Sequence, residues 1–315
     1  MKLRTIFMGT SEFAAEILES LVNAGYNIVS VYTQPDKKVG RDQEVKSSAV
    51  KIFSEKNGIK VSQPEKLDDA AKKEIAVQKP DIIILAAYGK IIPKSILDIP
   101  GFGALNIHTS LLPKYRGPSP IQNALLNGEK ETGVTIILMD EKIDTGEIIS
   151  QRSVEIDKDE NATELSKKLA KLAANLLLDT LPLWVERQIT PEKQDDLKAT
   201  LCQLIEKSDG KIIWSDDAES VYNRYRAFTP WPGVFTFWEK EDSLKRIKLN
   251  VIGLMKTNPE AKHHAGEVFQ LGEKFGVQTG MGVILIEEIQ LEGKASLKIE
   301  EFINGYPDFA GSILK

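Results

Sequence analysis

The chain has 315 residues, of which 42% are hydrophobic and 28% are charged, a composition typical of a globular protein with a substantial core. Its formal net charge of −5 argues mildly against a general nucleic-acid binder, although a local basic face is compatible with it. The one cysteine, Cys202, excludes an internal disulfide framework and favours a reducing compartment. No apolar run approaches the ~20 residues that a membrane helix needs, and the first apolar run is too short for a signal peptide. We therefore expect a cytoplasmic protein without a membrane partner.

The first half of the chain alternates between predicted strands and predicted helices. Strands are predicted at 3–8, 28–33, 59–62, 81–86 and 103–108, and helices at 12–24, 46–56 and 68–78. Residues 81–86 are continuously apolar, which is typical of a strand covered on both faces. This alternation predicts a Rossmann-like α/β fold, with a mostly parallel sheet and helices on both of its faces.

The next part of the chain is predicted to contain a helix at 120–127, a hairpin made of strands at 133–139 and 148–156, and a long helix to about Leu181. Residues 187–206 are polar and lack a sustained apolar pattern, so we predict a linker there. A helix at 217–227 then precedes short strands near 234–238, 246–252, 267–271, 275–279, 283–289 and 296–300. Short strands separated by glycine-containing or charged turns predict a small, OB-like β-barrel. The predicted domains are 1–186 and 207–315, joined by the linker.

Polar residues interrupt the strand predicted at 103–108. Asn106 and His108 are two positions apart, so their side chains project to the same side of that strand. A strand that ends in polar residues before a Pro/Gly loop is typical of the carboxyl edge of an α/β sheet, where ligands bind. An amide can stabilise an oxyanion, and a histidine can carry protons near neutral pH. If the fold brings Asp144 close, its carboxylate can orient the imidazole, and the three residues together predict transfer chemistry at a carbonyl-like carbon.

The loop that follows carries a specific motif. Residues 110–117 resemble the SLLPxxRG signature of the formyltransferases that use 10-formyltetrahydrofolate, and Asp144 lies in the matching IDxG setting. The resemblance implies that Asn106, His108 and Asp144 are the catalytic residues and that 10-formyltetrahydrofolate is the co-substrate. It also implies a folate pocket lined by two segments at the sheet edge, comprising Tyr88, Gly89, Ile91, Ser110, Leu111, Leu112 and Pro113.

Other cofactor classes are disfavoured by missing motifs. Gly9 follows the first predicted strand, but the GxGxxG pattern of a dinucleotide site is absent, so we do not expect NAD. The GTxxF turn at 9–13 resembles the opening of the formyltransferase domain instead. The sequence contains neither HExxH nor CxxC, and the adjacent His263 and His264 are predicted to be solvated loop residues, so we expect no metal.

The loop after the second predicted strand indicates the acceptor substrate. Its TQPDKxxGR form at 33–41 resembles the insertion that meets the tRNA acceptor end in formyltransferases acting on initiator methionyl-tRNA. The resemblance implies that Lys37, Lys38 and Arg41 contact tRNA, although neighbouring acidic residues dilute the basic character of the loop.

The AxxVYNRYRAFTPWPG segment at 218–233 and the predicted barrel extend the resemblance over essentially the whole chain, and imply a tRNA-binding barrel. The implied reaction is transfer of the formyl group to the α-amino group of methionine on initiator tRNA. A formyltransferase of amino-sugar nucleotides, with the same donor, is the first alternative. A catalytically silent folate- or RNA-binding module is the second, and the presence of all three catalytic residues argues against it.

Overall fold

The computed structural model describes residues 3–39, 44–256 and 263–315, which form two compact units. The first unit comprises Met1–Pro120, Glu131–Ile156 and Leu165–Gln203, and the second comprises Ile121–Lys130, Asp157–Glu164 and Leu204–Lys315. Neither unit is one uninterrupted stretch of sequence. The domain boundaries at 186 and 207 therefore stay a prediction.

The strands of the first unit include the predicted ones and one further antiparallel pair. They are β1 (Arg4–Gly9), β2 (Asn27–Tyr32), β3 (Lys37–Val39), β4 (Glu44–Lys46), β5 (Val61–Ser62), β6 (Ile82–Ala86), β7 (Ala104–His108), β8 (Glu131–Leu138) and β9 (Glu147–Glu155). A seven-stranded sheet in the described part of this unit has the order β5-β2-β1-β6-β7-β8-β9. Neighbours from β5 to β7 are parallel, whereas β8 and β9 are antiparallel to their neighbours. The predicted mostly parallel α/β sheet is confirmed.

The α-helices up to residue 185 are α1 (Glu12–Asn23), α2 (Ala49–Lys56), α3 (Asp69–Val77), α4 (Lys94–Leu97), α5 (Pro120–Leu126) and α6 (Ala162–Val185). Helix α1 begins after Ser11, whose hydroxyl accepts a hydrogen bond from the Ala14 N–H at 3.4 Å. Helix α2 begins three residues later than predicted, because β4 pairs with β3 and Ser48 caps the helix. None of the described helices is long and apolar enough to cross a membrane.

Gly9 allows α1 to pack closely against the sheet. A Cβ atom at this position would lie 2.7 Å from the Ala14 Cβ and 2.9 Å from the Ala86 carbonyl oxygen. Such separations are far shorter than ordinary van der Waals contacts, so a larger residue would displace the helix or the neighbouring strand. Close packing of helix on sheet therefore accounts for the glycine after β1.

The second unit contains helix α7 (Ala218–Phe228) and an antiparallel sheet. Its strands are β10 (Val234–Lys240), β11 (Ser243–Met255), β12 (Val268–Leu271), β13 (Lys274–Gln278), β14 (Val283–Leu291) and β15 (Ser296–Lys298). Their order is β10-β11-β14-β13-β12, with β15 also paired to β14. This arrangement confirms the predicted barrel-like domain as an antiparallel sheet curled into a half-barrel.

Residues 311–315 bond to both edge strands of this curled sheet. The Lys315 N–H donates to the Phe237 carbonyl of β10 at 2.8 Å, and the Gly311 N–H donates to the Val268 carbonyl of β12 at 2.7 Å. Both edge strands therefore pair with the same short segment, which satisfies backbone groups that an open sheet leaves exposed.

The strand predicted at 296–300 is only partly correct. Strand β15 ends at Lys298, and helix α8 (Ile299–Gly305) follows at once. Ile299 and Phe302, three positions apart, are both buried on one helical face. The ring of Phe302 lies 6.2 Å from that of Trp238 and 5.1 Å from that of Phe309, measured between centroids. These aromatic side chains form the centre of the second unit.

Candidate active site

Strand β7 carries Asn106 and His108 into the middle of the first unit's sheet. Asn106 lies opposite Leu85 of the parallel strand β6, and His108 lies opposite Thr135 of the antiparallel strand β8. Asn106 is half-buried, and His108 is only 6% exposed. The alternation along β7 therefore places both polar side chains together where its parallel neighbour ends.

Asp144 contacts both of these residues from the β8–β9 loop. The Asn106 Nδ2 donates to Asp144 Oδ1 at 3.2 Å, and His108 Nδ1 lies 3.5 Å from Asp144 Oδ2. The Gly117 N–H donates to the same Oδ2 atom at 2.9 Å. The fold thus brings together the three side chains that the sequence singles out, and it supplies the carboxylate with a backbone donor as well.

The second ring nitrogen of His108 defines its tautomer. His108 Nε2 lies 2.8 Å from the Tyr115 carbonyl oxygen, which can only accept a hydrogen bond. The Nε2–H group therefore donates a hydrogen bond to that oxygen. His108 Nδ1 faces the Asp144 carboxylate, so an acceptor lies beside each of the two ring nitrogens.

Left-handed backbone conformations occur at three non-glycine residues near this site. Ala87, directly after β6, has φ = 45°, Tyr115 has φ = 61° and Asp144 has φ = 54°. For residues other than glycine, such conformations cost on the order of 1–3 kcal/mol each and persist only where surrounding contacts impose them. The backbone that positions the acceptor of His108 and the Asp144 carboxylate is therefore held in place by tertiary contacts.

Strands β8 and β9 hold the 110–117 loop. Thr135 Oγ1 donates to the Ser110 carbonyl at 2.6 Å and accepts the Leu112 N–H at 3.1 Å, while Gln151 Nε2 donates to the Leu112 carbonyl at 3.0 Å. At the other end of the loop, Gly117 has φ = 119°, and a Cβ atom there would collide with the Cys202 carbonyl oxygen. The loop thus has a fixed path beside the three polar residues.

The residues predicted to line a folate pocket lie in different environments. Tyr88 is 3% exposed, and its side chain packs in a core cluster with Ile92. Burial raises the pKa of Tyr88 to about 12, so its hydroxyl keeps its proton. The side chains of Ser110 and Leu112 are also buried, whereas Ile91 is 77% exposed. Gly89 is exposed, and Leu111 and Pro113 are half-buried.

A cavity of about 640 Å³ lies beside the Asp144 loop, within the size range of ligand sites. Its apolar wall includes Leu97, Leu138 and Met139, and its polar wall includes Gln194. The remaining lining residues are Lys94, Asp98, Asp140, Glu141, Lys142, Thr145, Gly146, Glu147, Lys193 and Asp196. The seven predicted folate residues are not among them. Sequence patterns gave no signal for this cavity, because its walls come from three separate segments.

The predicted linker contributes residues to the site. The Arg116 N–H donates to the Thr200 carbonyl at 2.9 Å, and the Cys202 N–H donates to the Arg116 carbonyl at 2.8 Å. Burial raises the pKa of the Cys202 thiol. Residues 192–202 have no apolar periodicity and no known signature, so sequence analysis missed their contacts with the 110–117 loop.

The residues predicted to contact tRNA are only partly described. Lys37 is exposed, and its Nζ donates to Gln34 Oε1 at 2.7 Å. Gln34 Nε2 in turn donates to the Tyr88 carbonyl at 2.8 Å. Lys38 belongs to β3, but its side chain and the whole of Arg41 lie outside the described residues. Among the described residues, no group of three or more His, Cys, Asp or Glu side chains is placed to hold a metal ion.

Two family models match this chain and define its class. A model described as formyl transferase matches residues 1–181, and one described as formyl transferase, C-terminal domain, matches residues 204–307. The chain belongs to the formyl transferase family, as its sequence motifs predict.

Full-length relatives narrow the comparison further. A methionyl-tRNA formyltransferase from Caldanaerobacter subterraneus is 41% identical over 315 residues, covering 99% of this chain and 100% of the relative. A methionyl-tRNA formyltransferase from Campylobacter curvus is 45% identical over 314 residues, covering 98% of this chain and 99% of the relative. Both lie within the range in which family membership is unambiguous.

Solved structures share the fold at lower identity. An N-formyltransferase from Helicobacter canadensis, in complex with folinic acid and dTDP-3-aminofucose, has a TM-score of 0.66 at 20% identity, covering 90% of this chain and 98% of that chain. HypX from Aquifex aeolicus in complex with tetrahydrofolic acid has a TM-score of 0.65 at 18% identity and covers 98% of this chain. This chain spans only about half of the HypX chain, at 48%. These structures support the fold alone.

Proposed function

We propose that this chain transfers the formyl group of 10-formyltetrahydrofolate to the α-amino group of methionine on initiator tRNA. One observation carries the proposal: an amide, an imidazole and a carboxylate converge at the sheet edge of a chain whose full-length relatives are named methionyl-tRNA formyltransferase. The amine nitrogen forms a bond with the formyl carbon, the bond between that carbon and N10 of the donor breaks, and N10 takes up a proton in place of the one that the amine loses, which releases tetrahydrofolate. Because ribosomes use aminoacylated tRNAs, we expect this formyl transfer to take place in the cytoplasm.

The proposed catalytic roles follow from the donors and acceptors of each side chain. Asn106 uses one N–H of its amide on Asp144, and the amide has a second N–H that can donate to the formyl oxygen as negative charge develops there. His108, held between Tyr115 and Asp144, adds positive charge beside that oxygen when it is protonated. Asp144 holds the imidazole and promotes loss of the amine proton.

The cavity beside the Asp144 loop is large enough to hold the folate donor. Its volume of about 640 Å³ suits a bicyclic ring with an attached aryl group, and Leu97, Leu138 and Met139 offer an apolar wall. Gly89 and Ile91 are exposed directly after β6 and are proposed to extend the site. Tyr88 and Leu112 of the predicted set are buried and their carbonyls accept hydrogen bonds from Gln34 and Gln151, so they would support the pocket wall from behind.

The acceptor side of the proposal rests on the basic loop and the curled sheet of the second unit. We propose that Lys37, Lys38 and Arg41 contact the tRNA backbone, since phosphate contacts by Lys and Arg dominate nucleic-acid affinity. The overall charge of −5 makes a broad basic surface implausible, so a small number of local contacts carries this interaction.

A formyl-transfer assay tests the proposal against its alternative. Donor labelled in the formyl group is offered with methionyl-tRNA and with an amino-sugar nucleotide in parallel reactions. We expect label on methionyl-tRNA at a rate at least about 100-fold above that on the sugar, in line with a site built for one acceptor. Label on the amino-sugar nucleotide alone would contradict the proposal.

A further inference from the structure

Gln194 lies between the two loops that hold the site residues. The backbone around it is anchored on one side to β9, because Ile148 and Glu192 exchange N–H···O=C bonds at 2.7 and 2.8 Å. On the other side it is anchored to the 110–117 loop, through the bonds of Thr200 and Cys202 with Arg116. The side chain between these anchors is therefore held in a defined position.

Both ends of the Gln194 amide are used. Its Nε2 donates to the Asp144 carbonyl and to the Gly146 carbonyl, each at 2.8 Å. Its Oε1 accepts a hydrogen bond from Arg116 Nε at 3.0 Å. Because the donors and the acceptor face opposite ways, one side chain bonds the Asp144 loop and the 110–117 loop at the same time.

Arg116 connects this amide to the partners of the catalytic side chains. Its guanidinium is buried, and Arg116 Nη2 donates to Asp196 Oδ1 at 2.8 Å. The residue before it, Tyr115, provides the carbonyl that accepts His108 Nε2–H, and the residue after it, Gly117, donates its N–H to Asp144. A shift of Arg116 would therefore move the partners of both His108 and Asp144.

We propose that Gln194 is a positioning residue that fixes the separation of His108 Nδ1 and Asp144 Oδ2, 3.5 Å in this structure. The inference rests on the proposed formyl transfer and adds a residue to its site. Asp144 has φ = 54°, a conformation that needs external contacts to persist, and the two bonds from Gln194 Nε2 supply them on both sides of Thr145.

Two substitutions test the hydrogen-bond donors and the acceptor of the Gln194 amide. Gln194→Glu keeps the acceptor that faces Arg116 but replaces the donors with an oxygen that repels the Asp144 and Gly146 carbonyls. Gln194→Met keeps the approximate side-chain volume and removes both the N–H donors and the oxygen acceptor. We expect both variants to lose kcat by roughly 10- to 100-fold, because displacement of a reacting group by about 1 Å has effects of this size. The KM for methionyl-tRNA should change less than about twofold.

Gln188→Glu is the matched control, since this exposed glutamine lies six positions earlier and its side chain bonds only to Glu186 among the described hydrogen bonds. It should keep the wild-type kcat. Wild-type kcat in Gln194→Glu, or a loss confined to KM, would overturn the proposal. If Gln194→Met does not fold, Gln194→Glu alone decides between these results.

Hydrogen exchange at the Gly117 amide tests the positioning without any substrate. This N–H bonds to Asp144 Oδ2, so displacement of the Asp144 loop should speed its exchange by about 10-fold or more in Gln194→Glu. Unchanged exchange would overturn the positioning role whatever the acceptor substrate is. Failure of the wild-type chain to formylate methionyl-tRNA, with faster Gly117 exchange in the variant, would instead reject the proposed function alone.

Discussion

The polar site of the first unit and the aromatic cluster of the second unit show two different uses of burial. At the site, His108 and Arg116 are each 6% exposed, and their polar atoms bond to carbonyl or carboxylate groups. In the aromatic cluster, Trp238, Phe302 and Phe309 bury large apolar surfaces with edge-to-face ring contacts. Burying polar groups costs free energy unless each is paired, whereas burying aromatic rings stabilises the fold directly. We therefore propose that the first arrangement serves chemistry, whereas the second stabilises the fold.

Trp238→Ala should produce the largest effect on stability. It removes a fully buried indole ring whose neighbours come from α8 and the segment after it, and leaves a cavity that they cannot fill. We expect the free energy of unfolding of the second unit to fall by about 3–5 kcal/mol. Denaturant unfolding, monitored by far-ultraviolet circular dichroism, measures this loss. A loss below about 1 kcal/mol would contradict the stabilising role of the aromatic cluster.

Asp144→Asn should produce the largest effect on turnover. The amide can still accept the Gly117 N–H, but the negative charge facing His108 disappears. We expect kcat to fall at least ~100-fold, the scale of a positioned proton-transfer group, while the affinity for a reduced folate changes little. Steady-state formyl transfer and calorimetric folate binding measure the two quantities.

The control for this variant is Asp179→Asn, because Asp179 is an exposed aspartate of the first unit that pairs with Arg152 at 3.0 Å. Surface pairs of this kind contribute little, so its kcat should match that of the wild type. Equal turnover in both aspartate variants would reject the assignment of Asp144.

Replacing Lys37, Lys38 and Arg41 together with Ala should have a smaller effect, confined to tRNA. Loss of phosphate contacts should weaken tRNA binding and flatten its salt dependence by up to roughly three units, one for each lost contact. Acidic neighbours in the loop make a change of about one unit sufficient support. Affinities at several salt concentrations measure the slope.

Lys56, Lys66 and Lys73, which are exposed in the same unit, provide a matched triple-alanine control. Folate affinity should be unchanged in both variants, although Lys37 bonds to Gln34 and Gln34 bonds to the Tyr88 carbonyl. Identical tRNA affinities and slopes for the two triple variants would leave the basic loop an ordinary solvated surface.

The sequence predicted the parts of the fold that have apolar periodicity or a recognisable motif. The strands β1, β6 and β7 are continuous or alternating apolar runs, and the SLLPxxRG loop marks the edge where they end. The β3–β4 pairing was missed because both short strands consist mainly of charged residues. Helix α8 was missed because only two apolar residues at helical spacing distinguish it from the strand before it.

Sequence analysis predicted only those residues of the candidate site that lie in recognisable motifs. Asn106, His108 and Asp144 stand in motifs, so their convergence could be expected before the fold was known. Gln194 acts through an amide that bonds to backbone carbonyls, and such partners leave no pattern in the sequence. The left-handed conformation of Tyr115 is likewise a product of tertiary contacts and has no local signal.

The central claim is that the polar network serves formyl transfer and the aromatic cluster serves stability. The most direct test measures kcat with saturating methionyl-tRNA and the free energy of unfolding on the same preparations of Asp144→Asn and Trp238→Ala. We predict that Asp144→Asn loses kcat at least ~100-fold with less than about 1 kcal/mol of stability, while Trp238→Ala loses about 3–5 kcal/mol and keeps most of its kcat under conditions where it is folded. A reversal of this pattern, with Asp144→Asn destabilised but active, would contradict the account.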